Sequence, residues 1–250
     1  MVNIAIIGCG NIAHIIKEKS SSITIKAVYD IDYKAAKLFA EEAGCLMAAS
    51  IEELAGCDAD VIVEAASPRA VREAGRCALE HGKDILIMSV GGLADKETYG
   101  ELLSIARRTG AKIRIPSGAI GGLDAIQAAK TGGVSSIILQ TTKPPSSLGL
   151  DLDERTLVFE GSPEEAIKKY PKNINVAVTL AIISGGNPVT VRIVADPSYT
   201  RNVHEVKVVG EVGTLTFTFD NTPSENKATS LIAGYSAVSI LESLSSPIQF

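Results

Sequence analysis

The chain has 250 residues, 46% hydrophobic and 21% charged, with a net charge of −5. That suits one large domain or two small ones with an ordinary globular core. The acidic balance argues against nucleic acid, which needs a basic footprint, and the absence of Trp with only 4% aromatics argues against base-stacking platforms. No run reaches the ~18 apolar residues of a membrane span. The opening residues lack the basic and apolar segments of a signal peptide, so a soluble, cytoplasmic protein is expected. Cys9, Cys45, Cys57 and Cys77 make no CxxC pair; they read as reduced, mostly buried thiols, and no metal site is expected.

In chain order, Val2–Ile7 reads as a strand, 11–20 as a helix and 25–29 as a second strand ending at Asp30. Helical spacing covers Tyr33–Ala43, closed by Gly44 as a C-cap. A short turn at 51–54, a buried strand at 61–63, a helix at 68–80, a strand at 85–88, a helix at 95–108 and a strand at 113–115 follow. Near-continuous Val/Ile strands alternating with helices predict a parallel sheet covered on both faces. After Pro116 the pattern changes. A helix is expected over 121–130, a strand over 135–142 ended by Lys143-Pro144-Pro145, and mostly helix over 163–183, broken at Pro171. Three strands are then expected, over 189–194, 204–209 and 214–219, the last alternating with period two as a half-buried antiparallel strand does. A small-residue apolar helix over 228–244 must pack on something, either the first domain or a second subunit. The expected fold is α/β: a Rossmann-type doubly wound parallel sheet in 1–116, with the C-terminal helix 226–250 packing back, and an α+β domain with an open mixed sheet in 117–225, for substrate, catalysis and dimerisation.

Gly8-Cys9-Gly10-Asn11-Ile12-Ala13 fits G-x-G-x-x-[G/A] between a strand and a helix. Gly8 permits the tight turn, Gly10 the approach of a pyrophosphate, and Ala13 close helix–sheet packing; the phosphates sit over the N–H groups of Asn11 and Ile12. Asp30 lies 22 residues beyond Gly8, the offset of an acidic residue that grips ribose hydroxyls. Its carboxylate favours NAD and repels the 2′-phosphate of NADP, although Lys34 is near enough to permit some NADP use. Ala65, Ala66 and Ser67 after one strand, and Ser89 and Val90 before Gly91-Gly92 after the next, are further cofactor contacts, because ligands bind beyond strand C-termini in open sheets.

A dinucleotide site names no reaction. Of three histidines, His14 lies inside a helix and His81 can cap a helix end. His204 begins a strand after an irregular stretch and can reach a cleft, though a structural role explains it equally well on the residues alone. There is no G-x-S-x-G elbow, and Cys9 in the phosphate loop is implausible as an acyl nucleophile.

The chain resembles the L-aspartate dehydrogenase family. The likeness rests on Gly8–Ala13, Ala65–Ser67, Pro116-Ser117-Gly118-Ala119-Ile120-Gly121-Gly122-Leu123-Asp124, Thr142-Lys143-Pro144-Pro145, Asn173-Ile174-Asn175-Val176-Ala177, Asp196-Pro197 and Asn202-Val203-His204-Glu205. Ala13 stands where glycine is common. The resemblance implies a homodimer that oxidises L-aspartate with NAD(P) to iminoaspartate, then oxaloacetate and ammonia, serving quinolinate and NAD biosynthesis. It implies His204 as catalytic acid/base, and Ala119 and Asn175 as cofactor contacts. Ser117, Gly118 and Asn202 are then substrate contacts, and Lys143 and Arg201 are rival cations for the substrate carboxylates. The alternatives are a related two-domain reductase of a small carboxylated or sugar substrate, disfavoured because Ser89-Val90-Gly91-Gly92 carries no lysine, and a non-enzymatic NAD sensor.

Overall fold

The computed structural model describes residues 1–170, 175–224 and 230–248. They form two units, Met1–Pro116 with Ala233–Phe250, and Ser117–Ile232.

The first unit carries β1 (Val2–Ile7), α1 (Asn11–Lys19), β2 (Ile23–Tyr29), α2 (Tyr33–Ala43), β3 (Leu46–Met47), α3 (Ile51–Ala55), β4 (Val61–Glu64), α4 (Val71–Glu80), β5 (Asp84–Ile87), α5 (Lys96–Thr109) and β6 (Ile113–Arg114). Its sheet runs β3-β2-β1-β4-β5-β6, parallel throughout. This is the doubly wound Rossmann order, which reverses direction between β1 and β4. Ile4, Ile6, Ile62, Val63, Ile85 and Leu86 are all inaccessible, as strands covered on both faces must be. Helix starts follow capping chemistry: Asp32 accepts from the backbone N–H of Lys34 and Ala35 for α2, Ser50 from Glu53 for α3, and Asp95 from Thr98 for α5.

The second unit carries α6 (Leu123–Gly132), β7 (Val134–Lys143), β8 (Thr156–Gly161), α7 (Pro163–Lys169), α8 (Asn175–Ser184), β9 (Val189–Ala195), β10 (Val203–Gly210) and β11 (Gly213–Asp220). Its sheet is mixed, in the order β11-β10-β7-β9-β8. β7 and β9 are parallel and the other neighbours antiparallel. Ile137 and Leu139 of β7, Val191 of β9, and Val206 and Val208 of β10 share one sheet face. They pack with Ile126, Ala129, Ala166, Ala177 and Leu180 from α6, α7 and α8 in one core. α9 (Leu231–Ser243) closes the described chain.

The expected fold class is what the chain adopts, with local differences. α4 starts at Val71, because Pro68–Ala70 form a turn in which Ala70 N–H donates to Ser67 O at 2.9 Å. α6 starts at Leu123, because Gly122 is left-handed at φ +68° and a Cβ there would lie 2.7 Å from the Phe217 ring. β3 is too short to show a period. β8 hides its period because its register slips between Leu157 and Phe159. Pro171, Asn173, Ile174 and the expected helix start at Ala228 lie outside the described residues. Among the described residues no helix is long and apolar enough to cross a membrane.

α9 seats on α1. A Cβ on Gly234 would lie 2.6 Å from Ile15 Cδ1, and Ser20 Oγ donates to Glu242 Oε1 at 3.1 Å. Gly234→Val should therefore force the helices apart and destabilise the first unit by about 1–3 kcal/mol. Calorimetry should show its unfolding midpoint lowered by several degrees.

Candidate active site

In the first unit, Gly8 leaves β1 at φ +98°, and a Cβ there would lie 2.7 Å from the carbonyl carbon and oxygen of Ala65. Only glycine meets both demands. Gly10 is the N-cap of α1 and supplies no side-chain cap. A Cβ on it would meet nothing within 4 Å, so there is room above this glycine. Asn11 Nδ2 is buried there without a hydrogen-bond partner. Ala13 is inaccessible and Ile12 half-buried. An uncapped helix start, an orphaned amide donor and a glycine edge with room above it fit a pyrophosphate.

Asp30 stands at the end of β2. Its Oδ2 accepts from Cys9 N–H at 2.7 Å and its Oδ1 from Asp32 N–H at 2.8 Å. The carboxylate is thus fixed against the phosphate loop, with lone pairs left for ribose hydroxyls. Burial, with Asp30 alongside, pushes the Cys9 thiol up to about 12.

Glu64, at the end of β4, is fully buried. Its Oε1 accepts from Ala66 N–H (2.9 Å), Ser67 N–H (3.0 Å) and Ser89 Oγ–H (2.9 Å), and its Oε2 from Ser89 N–H (2.9 Å). One side chain therefore holds both loops read as cofactor contacts. Val90 is buried in the 3-10 turn after Ser89.

In the second unit, β7 and β10 pair with His204 opposite Thr141, so both side chains leave the same sheet face. Thr141 Oγ1 lies 3.0 Å from His204 Nδ1. Lys143, two residues along β7, is 3% exposed. Burial and the nearby Lys143 ammonium push the His204 imidazole down to about 4, and burial pushes Lys143 down to about 8. A small cavity there is lined by Leu139, Thr141, Lys143, Tyr170, Val191 and Ile193. Asn202 immediately precedes the paired register of β10.

Arg201, the rival cation, has its guanidinium on Asp220, at 2.5 and 2.9 Å. The loop of Ser117, Gly118 and Ala119 is tied down by Asn221 Nδ2 donating to Ala119 O at 2.6 Å, and by Ile120 buried in the core. Asn175 opens α8 and is exposed. His14 stacks edge-on to Phe39, 5.0 Å between centroids, and His81 Nδ1 lies 2.9 Å from Cys77 O at the end of α4.

Two residues with evident work were not singled out from sequence. Glu64 had one visible signal, a carboxylate ending an apolar parallel strand. Thr141 had its shared parity with Lys143.

The N-terminal segment 6–116 matches the family model described as homoserine dehydrogenase, NAD binding domain, and 124–244 matches aspartate dehydrogenase, C-terminal. An L-aspartate dehydrogenase of Methanocaldococcus jannaschii is 43% identical, over 100% of this chain and 99% of its own. The chain belongs to the aspartate dehydrogenase family. Another member, from Methanospirillum hungatei JF-1, is also 43% identical, over 99% of this chain and 98% of its own. The crystal structure of aspartate dehydrogenase from Thermotoga maritima superposes with a TM-score of 0.85 at 34% identity, covering 100% of this chain and 99% of that one.

Within this family member the depressed imidazole is directly measurable. The His204 Cε1–H resonance should not titrate between pH 8 and 6, and should titrate near 4. Lys143→Met removes the neighbouring cation and should raise that midpoint. A midpoint near the ordinary ~6.5 in the unaltered protein would contradict the described packing. Since the unfolded chain protonates first, this group's contribution to stability is complete above about pH 7 and is lost as pH falls from ~6.5 towards about 4.

Proposed function

We propose that this protein is an NAD(P)-dependent L-aspartate dehydrogenase: L-aspartate, NAD+ and water give oxaloacetate, ammonium, NADH and a proton. One observation carries the reading. An imidazole held neutral and a buried lysine share the end of the central strand β7 and its neighbour β10, in a chain similar from end to end to L-aspartate dehydrogenases.

The nicotinamide, when bound, supplies the hydride acceptor. Gly8, Gly10, Asn11 and Ile12 hold the pyrophosphate, and Asp30 holds the adenine ribose. Ala65, Ala66, Ser67, Ser89 and Val90 bound the nicotinamide half, and the family resemblance adds Ala119 and Asn175 as cofactor contacts. Loss of hydride from the aspartate Cα needs a neutral amine, because only a lone pair stabilises the developing C=N bond. With Nδ1–H donating to Thr141 Oγ1, His204 presents the Nε2 lone pair and takes the proton of the water that attacks the imine carbon. It then returns a proton to the departing nitrogen. A histidine whose conjugate acid is suppressed is unprotonated throughout the neutral range, a weaker base than a free imidazole but a stronger acid once it holds the proton. Lys143, its ammonium little hydrated, pairs with a substrate carboxylate. Ser117, Gly118 and Asn202 supply neutral donors to the other polar atoms.

All four cysteines are free thiols, which supports a reducing, cytoplasmic location. We further read the protein as a homodimer whose imine product feeds pyridine-nucleotide synthesis.

The direct test follows NADH absorbance with a panel of amino acids. Turnover confined to L-aspartate is expected, and tight NAD binding without turnover of any would reduce the protein to a sensor. His204→Ala should lower kcat by about 10²–10⁴ and leave the Kd for NAD within about threefold. Near-normal kcat would remove His204 from the chemistry. Asp30→Ser should cut kcat/KM for NAD by about tenfold while raising that for NADP, since the repulsion of a 2′-phosphate is gone. Equal losses with both cofactors would show that Asp30 only braces the loop.

A further inference from the structure

Glu64 is fully buried, and its carboxylate takes four hydrogen bonds, all from uncharged donors: the backbone N–H groups of Ala66, Ser67 and Ser89 and the Ser89 hydroxyl. A neutral acceptor would tie these loops together without the cost of removing a carboxylate from water. Every one of the four donors favours the anion, while burial alone drives the carboxyl upward. Burial outweighs the donors and leaves the carboxyl raised, so the anion is the form that a positive charge brought alongside would restore.

Its position gives that charge an object. The residue after Glu64, Ala65, lies against Gly8 of the phosphate loop, close enough that a Cβ on Gly8 would sit 2.7 Å from it. In a sheet of this order the dinucleotide crosses the strand ends at the β1/β4 reversal. Asp30 places the adenine ribose on the β2 side, so the other half extends over the ends of β4 and β5, the two loops that Glu64 joins. The oxidised nicotinamide ring carries a positive charge and the reduced ring carries none.

We propose that Glu64 is a buried counter-charge for the oxidised cofactor: it makes the protein bind NAD+ more tightly, relative to NADH, than a neutral residue at this position would, and so favours release of the reduced product. The proposal rests on the dinucleotide reading above. It makes Glu64 a positioning and selectivity residue that takes no proton in the reaction.

Equilibrium calorimetric titration of the full-length protein with NAD+ and with NADH tests it. Glu64→Gln should raise the ratio Kd(NAD+)/Kd(NADH) by about fivefold or more, the size expected of one partly screened charge at ring distance. Glu64→Asp keeps the charge and should leave the ratio within about twofold, even if the shorter side chain weakens both. If Glu64→Gln weakens both forms equally, the carboxylate only ties loops and the proposal is overturned. If that variant does not fold, the unaltered protein decides. It should bind NAD+ at least about fivefold more tightly than benzamide adenine dinucleotide, whose ring has the same shape and no charge; equal or tighter binding of the neutral analogue overturns the proposal. Failure of the unaltered protein to bind either NAD+ or NADH would instead overturn the cofactor reading, and this one with it.

Discussion

The first unit depends on one approach of backbone to backbone, that of Gly8 against Ala65. It brings the ends of β1 and β4 together at the reversal of the sheet. It sends the chain into α1 with the first N–H groups uncapped by any side chain. A methyl group at residue 8 would separate these elements. Asp30 and Glu64 stand on either side of this contact, each with its carboxylate on backbone N–H groups. The loops read as cofactor contacts are thus held by acidic side chains from the strands beneath them, and their own residues can stay small.

In the second unit the organising constraint is the alternation of β7. Leu139, Thr141 and Lys143 leave the strand on one face, the first into the helix-covered core and the last two beside His204. Changing parity at this end would turn the lysine and threonine to the other face, away from His204. The same burial acts on both ionisable groups in the same sense, since it disfavours their charged forms: it suppresses protonation of the imidazole and loosens the proton of the ammonium.

What was legible in the sequence follows from the range of the physics involved. The phosphate loop could be read because its glycines answer local steric demands, and the spacing to Asp30 follows from one β-α-β unit. The period of β11 could be read because one face is half-buried all along it, whereas the register slip in β8 removes that regularity. Lys143 and Arg201 could not be told apart, because the choice depends on Asp220, nineteen residues away on the paired strand and bonded to Arg201. Glu64 carries no local signal of its role beyond a carboxylate ending an apolar strand, because its work depends on Ser89, twenty-five residues on. Thr141 meets His204 across sixty-three residues, a pairing fixed by strand order and register. Local rules expose single residues, while partnerships made by topology stay hidden until the strands are placed.

The thiol of Cys9 stands in the middle of the phosphate loop, where chemical damage would block the cofactor. Its acidity, pushed to about 12 against an ordinary 9.0, leaves roughly a thousandth of the usual thiolate at neutral pH, and thiolate is the form that peroxides and alkylating agents attack. Burial first, and the aspartate carboxylate that grips the loop backbone second, thereby passivate the sulfur. Oxidants and cysteine-directed reagents should therefore react more slowly at this position than at an exposed, acidic thiol.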